Sequence, residues 1–211
     1  MKEKIIIIGA GQMGELVSNI ILRQKKYSIL GFIDKKKNNK NINGFKILGN
    51  DKLLNQNKLK SKNVVIAIAD INIRLKIYKR LSRLKFNFPN IIDPTAIIDK
   101  NVKINDGIII CMNSVILNRV NINKCCIIGT SVNILHDTKI GKNCVIGGGT
   151  LIGANNTFED NIFVGVGSVF SSKKITVGKN SFISSGSVVL NSIKKYSKVI
   201  GNPARVIGTN D

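Results

Sequence analysis

The stretch IGTSVNILHDTKIGKNCVI, residues 128–146, sets an isoleucine at positions 128, 134, 140 and 146. The spacing of six continues both ways: Ile92, Ile98, Ile104, Ile110, Ile116 and Ile122 precede it, and Ile152, Phe158, Val164 and Phe170 follow. Neither the helical period of 3.6 nor the strand alternation of 2 generates a repeat of six. A parallel β-helix does, because each unit supplies one short strand and one turn and three units close a triangular coil. Four residues after the anchors stand mostly small or β-branched side chains, such as Ser114, Val120, Cys126, Val132, Thr138, Cys144, Thr150 and Ser168. Both positions are expected to point inward and to stack on their equivalents one coil away. Glycines directly after an anchor (Gly129, Gly141, Gly147, Gly153 and Gly165) read as turns needing permissive backbone angles. Beyond Phe170 the register slips by one residue and resumes at Val177, Ile183 and Val189, so an insertion is expected around Ser171 to Thr176 as a loop on one face.

Upstream of the ladder the signal is different. Strand-like and helix-like segments alternate: Lys4 to Ile8 strand, Met13 to Lys25 helix, Ser28 to Asp34 strand, Asn63 to Ala69 strand, Ile73 to Lys85 helix. That order predicts a small βαβ domain with a parallel sheet over residues 1–88, followed by the β-helix over 89–211. The helices should bury Leu16, Ile20 and Ile21, and Leu75, Ile77, Tyr78, Leu81 and Leu84. A Lys/Asn tract between Lys35 and Asn43 reads as an exposed loop.

With 211 residues and 43% hydrophobic content, the chain can support two cores. No apolar run approaches the roughly 18 residues that span a bilayer. The opening Met1-Lys2-Glu3-Lys4 and Ile5 to Ile8 read as a first buried strand rather than a signal peptide. Four cysteines without a C-x-x-C pair and a single histidine give neither a zinc spacing nor a disulfide framework. Reduced thiols in a cytoplasmic protein fit this usage, and no metal is expected. The net charge of +21 raises nucleic acid as a partner, but the bases are spread over both halves and aromatic residues make up only 5%. The reading is therefore no nucleic acid and no membrane, with a field that favours small anionic ligands.

Gly9-Ala10-Gly11-Gln12-Met13-Gly14 follows the first strand and opens a helix, the context in which backbone N–H groups face an anion. Asp34 closes the next strand, where dinucleotide folds place a ribose-binding carboxylate. The half-domain is short for a full dinucleotide fold, so a nucleotide or nucleotide sugar is preferred over NAD, with a purely structural turn as the bland alternative. His136 lies two residues after an inward anchor, which can put the imidazole outside the coil. A lone histidine is ordinarily an unremarkable surface group. Cys126 and Cys144 share the small inward position and read as buried hydrophobes, and Cys111 and Cys125 have no local base to activate them.

Taken end to end, the chain resembles the sugar acetyltransferases of the NeuD and PglD type. The resemblance rests on Ile7-Ile8-Gly9-Ala10-Gly11, Gly31-Phe32-Ile33-Asp34, Ala67-Ile68-Ala69-Asp70 leading into Ile73-Arg74, His136-Asp137 before Ile140-Gly141, and Gly201-Asn202-Pro203-Ala204-Arg205. It implies a Rossmann-like N-terminal domain joined to a left-handed β-helix, and a homotrimer. It implies His136 as general base with Asp137 as its helper. Nucleotide-sugar contacts would fall on Gly11, Gln12, Met13, Asp34, Lys35 and Ala69. Acetyl-CoA as co-substrate would contact Val145, Val166, Ser185, Ala204 and Arg205. Two positions depart from the pattern: Val145 replaces a second histidine common in such enzymes, and Ala69 stands where glycine is frequent.

The function so implied is acetyl-CoA-dependent N-acetylation of a UDP-4-amino-4,6-dideoxy sugar for glycan synthesis, by direct attack with His136 as base. Acyl transfer from a thioester needs a group titrating near neutrality and no covalent enzyme intermediate. O-acetylation of a sialic-acid-like sugar and a non-catalytic trimeric binding scaffold are the alternatives. A zinc β-helix enzyme is excluded on histidine count.

Overall fold

The computed structural model describes residues 2–35, 41–55 and 61–210. The chain divides into two compact units, Met1–Pro94 and Thr95–Asp211.

The first unit is built on a sheet of β1 (Glu3–Ile8), β2 (Tyr27–Ile33), β3 (Asn41–Ile42), β4 (Phe45–Gly49) and β5 (Val64–Ile66), in the order β3-β4-β2-β1-β5. Strand β1 pairs in parallel with β2 and β5, and only the β3–β4 hairpin is antiparallel. Ile5, Ile6, Ile7 and Ile8 are all buried, the mark of a central parallel strand covered on both faces. Helix α1 (Gln12–Gln24) buries Val17, Ile20 and Ile21, and α2 (Ile71–Arg83) follows β5. Gly14 lets α1 sit on the turn before it: a Cβ there would lie 2.1 Å from the Gly9 carbonyl oxygen.

Three expectations for this unit are corrected. The third predicted strand is shorter, Val64–Ile66, and Ala67 to Ala69 form a loop instead. Leu16, Leu75, Ile77 and Tyr78 are only half-buried and Leu84 is exposed, whereas Leu81 and Arg74 are the buried residues of α2, Arg74 at 1% exposure. The β3–β4 hairpin went unread because its strands alternate half-buried and exposed residues at a sheet edge. Of the predicted exposed Lys/Asn tract, residues 36–40 lie outside the described residues; Lys35 is exposed and Asn41–Ile42 form β3.

The second unit is a β-helix of two-residue strands stacked in three parallel sheets. One face stacks Ile97–Ile98, Val115–Ile116, Asn133–Ile134, Leu151–Ile152, Val169–Phe170 and Val188–Val189. The second stacks Lys103–Ile104 through Thr176–Val177, and the third runs from Ile109–Ile110 through Phe182–Ile183 into a C-terminal hairpin of Ser197–Gly201 and Ala204–Thr209. The six-residue anchors fill the interior: Ile116, Ile134, Ile146 and Ile152 are 0% exposed, and Phe158 meets Phe170 edge to face at 4.9 Å. Each such side chain contributes about 1.5–3 kcal/mol of burial. The small inward positions are buried too, and they satisfy turn carbonyls. Ser114 Oγ donates to the Gly129 carbonyl at 2.8 Å, and Cys126 Sγ to that of Gly141 at 3.0 Å. Cys126 and Cys144 are thus interior groups in the place of serine or threonine.

The glycines after the anchors are not where the backbone turns left-handed. Positive φ falls two residues further on, at Asn113, Arg119, Cys125, Ser131, Asp137, Asn143, Asn155 and Asn161, and at Gly149 and Gly167. Gly129, Gly141, Gly147, Gly153 and Gly165 are required because a Cβ would strike the backbone or side chains of the next coil, at 2.4 to 2.7 Å. Close approach between coils, rather than backbone freedom, selects glycine there. The register slip is a single extra residue in the turn between Val169–Phe170 and Thr176–Val177.

Candidate active site

His136 lies at the corner between the first and second faces, with its side chain 48% exposed, outside the coil. The strand Asn133–Ile134 ends just before it, and its carbonyl accepts the Asn155 amide of the next coil at 3.0 Å, which fixes the backbone under the ring. Asp137 follows at φ 61°, and this left-handed corner swings its carboxylate back beside the imidazole. Nδ1 of His136 lies 2.7 Å from Asp137 Oδ2. An ionised carboxylate only accepts, so Nδ1 carries the proton, and Nε2 is the ring nitrogen left to accept whenever the ring carries one proton.

Asp137 has a second partner that the sequence reading missed. Arg119, one coil earlier at the same corner, donates from Nε to Oδ1 at 2.7 Å and from Nη2 to Oδ2 at 2.8 Å. These two bonds, and then the bond from His136, hold the Asp137 carboxyl well below the usual carboxylate range, and the same contact raises Arg119. The signal was present in the repeat: Arg119 is 18 residues before Asp137, one turn of the coil. The one-residue insertion falls at this corner too, two coils beyond His136, where Ser172 Oγ accepts the Ala154 amide at 3.0 Å.

Of the positions linked to coenzyme, Val166 and Ser185 stack at the corner between the third and first faces, joined by Gly186 N–H to the Val166 carbonyl at 2.9 Å. Val166 is 59% exposed. Ala204 and Arg205 open the last strand, paired with Gly201 and Ile200, and continue that corner by one coil. Val145 stands apart. It sits within the third face, paired with Ile127 and Phe163, and is 7% exposed, so it offers little surface to a ligand. Within one chain Val145 and His136 do not meet.

Gly11, Gln12, Met13, Asp34, Lys35 and Ala69 converge on one cavity of about 1020 Å³ in the first unit. The glycine turn bends sharply at Gly9, φ 102°, where a Cβ would lie 2.7 Å from the Ala67 carbonyl oxygen. Asp34, just past β2, accepts the Ala10 amide on Oδ2 at 2.8 Å and so ties the turn to the strand end. The opposite wall comes from α2, where Ile73, Lys76, Ile77 and Arg80 face the cavity. These four were not singled out as ligand contacts, although their spacing of three and four marks one helix face. Arg80 is paired with Asp51 at 3.1 Å, which leaves Lys35 and Lys76 to favour an anion. Arg74 donates to the Ile68 and Ala69 carbonyls, both at 2.9 Å, and shapes the loop between the two walls.

Among the described residues no group of three or more His, Cys, Asp or Glu is placed to hold a metal ion, and no helix is long and apolar enough to cross a membrane.

Residues 4–81 match the PglD N-terminal domain, and residues 85–183 match the GMPPB C-terminal domain. No curated protein sequence matches the chain. Among solved structures, the acetyltransferase domain of PglB from Neisseria gonorrhoeae FA1090, in complex with acetyl coenzyme A, is 25% identical over 98% of this chain and 100% of its own, with a TM-score of 0.91. PerB from Caulobacter crescentus, in complex with CoA and GDP-perosamine, is 23% identical over 97% of each chain, with a TM-score of 0.90. WeeI from Acinetobacter baumannii AYE is 24% identical over 98% of this chain and 100% of its own, with a TM-score of 0.88. The chain therefore shares the fold of these solved acetyltransferase structures, a unit that matches the PglD N-terminal domain followed by a hexapeptide-repeat, left-handed β-helix.

Proposed function

We propose that the protein transfers the acetyl group of acetyl-CoA to the amine of a nucleotide-linked 4-amino-4,6-dideoxy sugar, with a UDP sugar as the first choice. The observation that carries this reading is the half-exposed His136 side chain, held through Nδ1 by Asp137. Nε2 takes a proton from the sugar amine as its nitrogen attacks the thioester carbonyl. The C–N bond forms, the tetrahedral oxyanion collapses, and the C–S bond breaks. The leaving CoA thiolate takes the proton back from Nε2, so the products are an amide and free CoA, and the enzyme is unchanged. Backbone N–H groups of the β-helix turns are the available oxyanion donors.

The cavity of the first unit supplies a place for the nucleotide, with Lys35 and Lys76 toward its phosphates and Asp34 toward a ribose hydroxyl. The coenzyme takes the corner of Val166, Ser185, Ala204 and Arg205. That corner and the His136 corner are the two edges of the first face, whose outward column is mostly apolar: Ile97 is 62% and Leu151 40% exposed, with Val115, Val169 and Val188 beside them. Packing this face against a second copy in a closed trimer brings the histidine corner of one chain toward the coenzyme corner of the next.

The test is to offer purified protein acetyl-CoA with UDP-, GDP- and dTDP-linked 4-amino sugars and follow thiol release. Turnover with one of them is expected. Turnover only with a hydroxyl acceptor makes the protein an O-acetyltransferase, and none with either makes it a binding scaffold. His136→Ala is expected to lose roughly 10²–10⁴-fold in rate while still binding acetyl-CoA.

A further inference from the structure

We propose that Arg119 is a positioning residue that sets the ionisation of His136, by clamping the Asp137 carboxylate against Nδ1 and cancelling most of its charge. The inference rests on His136 acting as the base. Its geometry, however, stands on three side chains alone.

A carboxylate 2.7 Å from an imidazole does two things. It orients the ring, and it stabilises the imidazolium. Left alone with His136, Asp137 would favour the protonated ring, and a protonated ring cannot accept a proton from an amine. Arg119 changes this balance. Its planar fork meets both carboxylate oxygens, at 2.7 and 2.8 Å, so the carboxylate is held in one plane with Oδ2 shared between Nη2 and His136 Nδ1. The guanidinium also repels an imidazolium next to it. Orientation is retained while the electrostatic pull toward the charged ring is reduced.

The choice of residue supports this role. Arg119 occupies a left-handed corner position at φ 60°. The corresponding corners elsewhere in the β-helix are filled most often by asparagine or glycine, as at Asn113, Asn143, Asn155, Asn161, Gly149 and Gly167, with Cys125, Ser131, Asp137 and Lys174 among the other side chains. Asparagine and glycine adopt positive φ with little steric cost, and arginine does not. Among these corner residues Arg119 is the one whose side chain reaches Asp137.

The other charged groups that share the corner are further along the stack. Asp99 and Lys100 lie two coils before His136, and Lys173 and Lys174 lie in the turn two coils after it. The directly neighbouring coils present Asn118 and Ala154 in line with the histidine, and Arg119 and Asn155 in line with Asp137. Arg119 is thus the charged group one coil from the His136–Asp137 pair.

The chain has one histidine, so the imidazole signals in a histidine-labelled NMR titration belong to His136 without assignment. In Arg119→Asn, a residue suited to the corner's backbone, the His136 pKa is expected to rise by roughly half a unit to one unit. In Arg119→Lys, which keeps the charge, the shift is expected to be less than half as large. An unchanged His136 titration in a folded Arg119→Asn protein overturns the proposal. Should that variant not fold, Asp137→Asn serves instead: the Arg119 Nε–H resonance is expected to lose its protection, and an unaltered resonance overturns the clamp. None of these readouts requires turnover, so failure of the acetyltransferase reading leaves them independent. If turnover is found, the acid limb of kcat/KM is expected to move upward with the NMR value in Arg119→Asn.

Discussion

The Asp34 carboxylate accepts the backbone amide of Ala10 at 2.8 Å, so the group proposed to meet a ribose hydroxyl fastens the glycine turn to the end of β2. The two roles separate by substitution. Asp34→Ala removes this acceptor from the Ala10 amide and is expected to lower unfolding free energy by about 1–3 kcal/mol. Asp34→Asn retains an oxygen acceptor for that amide and is expected to stay near wild-type stability. Both should raise the KM for the nucleotide sugar if Asp34 also contacts the ligand. Thermal melts beside KM measurements check this; a KM unchanged in Asp34→Asn would leave Asp34 as a structural tie alone.

Arg74 is buried, and its Nη1 donates to two consecutive carbonyls, Ile68 and Ala69, that line the nucleotide cavity. Arg74→Met fills much of the same volume but leaves those carbonyls without this donor. A loss of about 2–4 kcal/mol is expected in denaturant unfolding, in the range for stranding buried polar groups. If this cavity takes the nucleotide sugar as proposed, KM for the sugar should rise more than kcat falls, because the loop lines the cavity.

The β-helix was legible because its constraint is periodic and interior: every sixth residue must be apolar, and Ile116, Ile134 and Ile152 show this directly. The β3–β4 hairpin was not, since Phe45–Gly49 is a half-exposed edge strand that little apolar patterning marks. At the candidate sites, the resemblance singled out His136 and Asp137, and the glycine turn was legible from its place between a strand and a helix. Arg119, Lys76 and Arg80 escaped because a surface cation acquires meaning only when the fold brings it to a partner. Arg119 is 18 positions from Asp137 in sequence and in hydrogen-bond contact in space.

The glycines illustrate a right residue read for the wrong reason, and the correction is testable. Gly141 has an ordinary φ, yet a Cβ there would lie 2.5 Å from the Glu159 backbone of the next coil. Gly167 has φ 66° and nothing within 4 Å of its virtual Cβ. Gly141→Ala is therefore expected to cost more than about 2 kcal/mol, because the obstructing atoms are backbone. Gly167→Asn should cost less than about 1 kcal/mol, since asparagine tolerates the left-handed region. Equal losses in chemical denaturation would contradict this account.

Asp137 gives the fold a pH dependence of defined sign. Its carboxyl is depressed by the bonds from Arg119 and His136, so the contact is present above the ordinary carboxylate range and is lost as pH falls through it toward the lower folded-state value. The stability difference between wild type and Asp137→Asn is expected to shrink as pH falls below about 4. Urea unfolding across that range measures it.

Leu151 lies at the middle of the exposed apolar column of the first face, 40% exposed and stacked between Asn133 and Val169. Its outward position serves no interior packing, whereas its neighbour Ile152 is wholly buried. Leu151→Glu therefore leaves the coil intact and places a carboxylate on the face assigned to the second copy. In a closed trimer each of the three interfaces would have to desolvate it. Light scattering should report a trimer for wild type and a monomer for Leu151→Glu, with the thermal unfolding of the coil preserved. Acetyl-CoA affinity should fall in parallel, because the coenzyme corner of one chain would have lost the histidine corner of the next. A monomeric wild type, or a variant that stays trimeric and binds coenzyme normally, would place the interface on another face.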